Sequence, residues 1–156
     1  MLNAYFKIQQ ARFADTARII ILACLTFSAV NDVVAADLTV DVDGVESRKG
    51  SIVFELDDSP SNWDNKTKPV AMTTVDASVP TTAYTFKNLA PGKYAIGVFH
   101  DENGNGKLDM NFFGIPKEAY GFSNNVTFRR KPTFEESLIV VGKDDVKILV
   151  HLGRAL

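Results

Sequence analysis

Apolar residues recur at every second position along most of this chain. That period dictates extended strands with one buried face. Val146, Ile148, Val150 and Leu152 form the cleanest stripe, with Lys147 opposite. Leu38, Val40 and Val42 alternate with Thr39, Asp41 and Asp43, and Ile52, Phe54 and Leu56 alternate with Val53, Glu55 and Asp57. Tyr84 and Phe86 flank Thr85, Val126 and Phe128 flank Thr127, and Leu138 to Val141 is apolar throughout. Tyr94 to His100 is apolar on both faces, which predicts a central strand, with Gly97 leaving room for a close neighbour. Turn signals at Asp43-Gly44, Asp57-Asp58-Ser59-Pro60, Ala90-Pro91-Gly92 and Gly142-Lys143-Asp144 separate the runs. A 3.6-residue stripe is missing, apart from a short turn around Ser61 to Lys66. About seven short strands with regular turns predict an all-β fold, an Ig-like or transthyretin-like β-sandwich.

The N-terminus follows a different rule. Ile19 to Val30 is an unbroken run of apolar and small residues, preceded by Arg12 and Arg18 and followed by Asn31-Asp32-Val33-Val34-Ala35-Ala36. At 12 residues it falls short of the roughly 20 needed to span a hydrocarbon core. A basic flank, a short apolar run and a small-residue exit make a secretory signal, a signal helix over residues 1–36 with cleavage after Ala36. Lipid attachment at Cys24 and a retained weak anchor are the alternatives. The β-sandwich domain is then residues 37–156, exported to the periplasm or secreted, with no membrane span in its mature form. Cys24 is the single cysteine, so no internal disulfide forms and packing must hold the domain together. A formal net charge of -2 gives no reason to expect nucleic acid or an anionic membrane as partner.

The segment after the central strand carries the most chemistry. Asp101, Asn103 and Asn105 place oxygen side chains at alternate positions, and Gly106 follows, where a sharp turn needs a permissive backbone. This is the opening of a calcium loop, with Asp101, Asn103, Asn105, the Lys107 carbonyl and Asp109 as metal ligands. The closing position holds Phe112 instead of a bidentate Glu, so Glu118, Asp57 or Asp58 would have to complete the shell for Ca2+. The alternative is a hydrogen-bonded, metal-free Asx turn. Beyond it, Phe112, Phe113, Tyr120 and Phe122 either pack the long loop onto the sandwich or stay exposed as a binding platform.

Three stretches resemble the DUF2141 family of exported bacterial proteins of unknown function: Phe86 to Ala95, His100 to Asp109, and Gly114 to Asn124 with its Gly-Ile-Pro-Lys-Glu and Tyr-Gly-Phe-Ser-Asn runs. The resemblance implies an exported β-sandwich and brings no established activity. The turn from Asn88 to Tyr94 is also similar to turns of transthyretin-like and collagen-binding-B-type sandwiches, a likeness of fold alone.

The leading expectation is a non-catalytic envelope module that binds a partner protein or glycan. A small-ligand carrier of transthyretin-like type is the alternative and predicts a cavity. A hydrolase using His100, Asp101 and Glu118 is a third reading, weakened because His100 and Asp101 point to opposite faces of a strand. Ser123 sits in no nucleophile elbow, and two isolated histidines argue against zinc.

Overall fold

The computed structural model describes residues 34–126 and 130–155. Most of the expected signal segment, residues 1–33, and Phe128 of the expected Val126–Phe128 strand lie outside them. The alternating stripes become β1 (Ala36–Asp43), β2 (Ser51–Asp57), β4 (Thr82–Leu89), β5 (Gly92–Asp101), β7 (Ile139–Val141) and β8 (Val146–His151). Two further strands, β3 (Ala71–Asp76) and β6 (Tyr120–Phe122), complete the set, and a short helix, α1 (Pro60–Trp63), follows β2. Ala36 is buried and pairs with Leu89, so a boundary after Ala36 falls one residue inside β1.

The strands form two sheets. One has the order β4-β1-β8, with β1 antiparallel to β4 and parallel to β8. The other runs β3-β2-β5-β6, with β7 pairing the first residues of β5. Their facing sides share one core in which Leu38, Val40 and Val42 meet Ile52, Phe54, Leu56 and Ile96. Burial of this kind stabilises by about 25 cal/mol per Å² of apolar surface. The outer side of the three-stranded sheet is polar: Lys147 bridges to Asp41, and Thr39 hydrogen bonds Thr85.

The five-stranded sheet differs. Trp63, Ala95 and Phe134 make a second, smaller core on its outer side, with Phe122 and Leu138 packed against it. This explains why β5 is apolar on both faces; Val53, on the outer side of β2, is buried as well. The edge of β5 changes partner along its length, from β7 at Gly92–Tyr94 to β6 at Gly97–Phe99. Between the two, the Ser123 hydroxyl accepts the Ile96 N–H at 3.0 Å and donates to the Ser137 carbonyl. The serine thus serves the backbone.

A pair of hydrogen bonds ties the sheets at one end, Tyr120 N–H to the Gly153 carbonyl and Gly153 N–H to the Tyr120 carbonyl, each 3.0 Å. The chain crosses so closely here that a β-carbon on Gly121 would lie 2.4 Å from the His151 carbonyl oxygen. Gly121→Ala should therefore cost about 1–3 kcal/mol through forced separation of β6 and β8. Urea unfolding measures it, and a variant as stable as wild type would mean that this crossing yields freely.

Candidate functional site

The outer side of the five-stranded sheet carries a pocket of about 660 Å³, within the usual range for small-ligand sites. Glu55 and Asp57 of β2 and Gly97 and Phe99 of β5 form its floor. Trp63, Phe122 and Tyr120 wall one part, and the segment Leu108 to Pro116 walls another. Period two explains the floor: Glu55 pairs with Gly97 and Asp57 with Ala95, so all four share the face that turns away from the main core. Gly97 opens the space, because its missing side chain leaves the Trp63 ring at van der Waals distance.

Trp63 is delivered by the turn after β2. Pro60 starts α1, and the Asn62 side chain accepts the Ser59 N–H at 3.0 Å and donates to Asp58 at 2.8 Å. The indole N–H donates to the Pro132 carbonyl at 2.8 Å. Phe122 meets the indole edge-on at 5.6 Å, and Tyr120 meets Phe122 at 5.7 Å. The Lys131 ammonium sits 4.7 Å from the indole centroid and donates to the Trp63 carbonyl. Arg130, also at the pocket, is held by Glu136 through bonds of 2.8 and 2.6 Å.

Asp57 is the anomalous group. It is 1% exposed, and neither carboxyl oxygen has a hydrogen-bond partner among the described residues. Buried acceptors are normally paired, because desolvation without compensation is costly. Burial first, and then the Glu55 charge, push its carboxyl up to about 7, with Lys131 pulling the other way. Glu55 is itself an acceptor when ionised, so it can satisfy Asp57 only through a shared proton.

The expected metal loop lies beside this pocket and is knit by hydrogen bonds. The Asp101 carboxylate is buried and accepts the N–H groups of Gly104, Asn105 and Gly106 at 2.8, 3.1 and 2.7 Å. The Asn103 and Asn105 amides both donate to Asp109, at 2.6 and 3.0 Å. The Lys107 N–H is taken by the Asn105 side chain. The Glu118 carboxylate accepts the N–H groups of Glu102 and Asp109 at 3.0 Å each, tying the two ends of the loop. Among the described residues no group of three or more His, Cys, Asp or Glu side chains is placed to share a metal ion. Asp101, Asn103, Asn105 and Asp109 are thus brought together, in the arrangement of an Asx-rich turn.

A family profile described as an uncharacterized protein conserved in bacteria, DUF2141, matches residues 40–149. The chain belongs to the DUF2141 family. No curated protein and no solved structure matches it.

In this DUF2141 protein the third reading of the sequence finds its residues apart in their bonding. His100 is buried with Nε2 on the Lys49 carbonyl at 2.8 Å, while Asp101 and Glu118 are occupied by backbone N–H groups. The aromatic loop residues divide between the two expected uses. Tyr120 and Phe122 pack, whereas Phe112 and Phe113 are 97% and 82% exposed at the tip of a hairpin closed by Met110 and Pro116. Leu108 lines the pocket.

Two outcomes follow from these contacts. The folded Asp57 carboxyl keeps its proton up to about 7, whereas its ordinary value is 3.8, so stability falls as pH rises between those values. Asp57→Asn removes the loss: urea unfolding should give similar stabilities near pH 4 and a variant more stable by about 2–4 kcal/mol near pH 8. A difference independent of pH would mean that Asp57 ionises normally. Asp101→Ala should cost about 2–4 kcal/mol with calcium or with chelator, because it removes the acceptor of the Gly104 and Gly106 N–H groups and leaves Asn105 with the Asn103 side chain alone. Calcium at a hundred times a real dissociation constant would add about 2.7 kcal/mol to wild type alone, and that result would make the loop an ion site.

Proposed function

We propose that this DUF2141 protein is an exported, non-catalytic binding module whose ligand site is the pocket on the outer side of the five-stranded sheet. The unpartnered, buried Asp57 carboxyl carries the reading. A folded domain tolerates such a group where a ligand supplies the missing donors. The aromatic walls supply apolar area, and the two carboxyls supply orientation, the usual division in small-molecule sites. The carrier alternative predicted a cavity, and this one opens outside one sheet instead of between the two. Export rests on the N-terminal apolar run and on the family's bacterial distribution. No helix among the described residues is long and apolar enough to cross a membrane.

A binding role is favoured over glycoside hydrolysis by the placement of the carboxyls. Glycoside hydrolysis sets two carboxyls across a gap of about 5 to 9 Å on opposite sides of the scissile bond. Glu55 and Asp57 instead lie two residues apart on the same face of one strand. Both histidines are elsewhere: His100 bonds Lys49, and His151 bonds Asp43.

Trp63 is the only tryptophan in the chain, so its emission reports directly on the pocket. An anilinonaphthalenesulfonate dye should quench Trp63 saturably, with energy transfer to the bound dye. Gly97→Leu fills the floor from a position whose β-carbon would meet only the Trp63 ring, at 4.0 Å, and should abolish the effect while keeping the wild-type circular dichroism. Equal quenching in a folded Gly97→Leu protein would rule the pocket out as the site.

A further inference from the structure

A sheet edge is a row of unpaired N–H and carbonyl groups that another chain can extend, and folded proteins blunt it. The three-stranded sheet ends in β4 and β8, and the five-stranded sheet ends in β3 and β6. β8 is capped by Asn125, whose side-chain amide donates to the Leu149 carbonyl at 3.0 Å and whose oxygen accepts the His151 N–H at 2.7 Å. β6 is three residues long, and its Tyr120 is bonded to Gly153. β4 carries Lys87 and the register shift opposite Ala36 and Leu38. β3 has no such device. Its six residues, Ala-Met-Thr-Thr-Val-Asp, hold no lysine, proline or glycine and pair with β2 without a register shift. The Ala77 N–H bonds the Gly50 carbonyl, which sets the phase of the ladder: Ala71, Thr73 and Val75 turn their backbone groups to β2. Those of Met72, Thr74 and Asp76 turn to the open side, where no described strand lies.

We propose that this edge pairs with the same edge of a second copy, β3 antiparallel to β3 about a twofold axis at Thr74. Only Met72, Thr74 and Asp76 offer outward groups. A self-pairing that uses all three sets Thr74 opposite Thr74 and Met72 opposite Asp76, with about six main-chain hydrogen bonds. The side chains agree with that register. Thr74 meets its twin, a favourable cross-strand pair, and on the core side Thr73 meets Val75, β-branched against β-branched. Asp76 is the only charge in β3. Its two copies fall four residues apart along the pair, about 13 Å at 3.4 Å per residue, past the screening length of about 8 Å. One strand pair is small beside the roughly 1,200 Å² that a stable complex buries, so the dimer exchanges with single chains. The pairing uses main-chain groups at the edge and is independent of what the pocket binds.

Sedimentation of the purified protein over about a hundredfold range of concentration should pass from one chain to two. Hydrogen exchange should slow with concentration at the Met72, Thr74 and Asp76 amides, while the Thr73 and Val75 amides stay protected throughout. Thr74→Lys and Thr74→Glu change an exposed side chain, so each variant should keep the wild-type circular dichroism. Each sets like charges face to face at the axis and should weaken association about tenfold or more. Mixing the two variants should restore it, because opposite charges then meet across the axis. A wild type that stays a single chain over the whole range would overturn the inference, as would a dimer that neither substitution weakens. So would a mixture that associates no better than its components.

Discussion

The two-sided burial of β5 is the constraint on which the rest of the architecture depends. A strand with Ile96 and Val98 on one side and Ala95 and Phe99 on the other cannot face water on either. The three-stranded sheet covers the first side. For the second side the chain uses connections instead of strands: the turn carrying Trp63, the segment carrying Phe134, and the hairpin rooted at Met110 and Pro116. Irregular segments cover a sheet less evenly than a second sheet would. Where they meet above Gly97 they leave the pocket.

That origin explains why much of the fold was legible in the sequence and the pocket was not. Period two located six of the eight strands among the described residues, because β1, β2 and β8 each have one clearly apolar stripe. β3 was missed because Met72 and Thr74 face outward and dilute its pattern, and β6 because only three residues pair. The loop after β5 advertised its oxygens through spacing, and the structure does bring Asp101, Asn103, Asn105 and Asp109 together. What spacing could not disclose is how those oxygens are spent, since backbone N–H groups and ion ligation use the same Asx and Gly pattern. Asp57 read as a turn residue and as one acid that could complete the shell of the metal loop. Two signs could have marked it: Val53 two positions before Glu55 on the same face, and apolar residues on both sides of β5. Together they indicate a covered outer surface, and a covered surface makes an acid there anomalous.

The loop and the pocket then appear as one construction. Asp101, capturing three amides, and Glu118, capturing two, fix the base of the hairpin whose far side walls the pocket through Met110, Ile115 and Pro116. Charge-assisted bonds to main chain hold such a segment more firmly than its apolar contacts alone. The oxygens of the loop are satisfied and those of Asp57 are not, although both are acids at less than a tenth exposure. Stability is thus concentrated in the frame and withheld from the floor, the distribution expected where function sets a group against folding.

The parallel pairing of β1 with β8 has a consequence for how the molecule is made. Leu38 lies beside Val146, and Asp43 beside His151, 108 residues apart along the chain. β1 is the middle strand of its sheet, so one of its two partners is made more than a hundred residues after it. Closing so long a span carries a large entropic barrier, and topologies of this kind assemble slowly. The three-stranded sheet therefore stays open until β8 arrives, and its middle strand is the one left waiting.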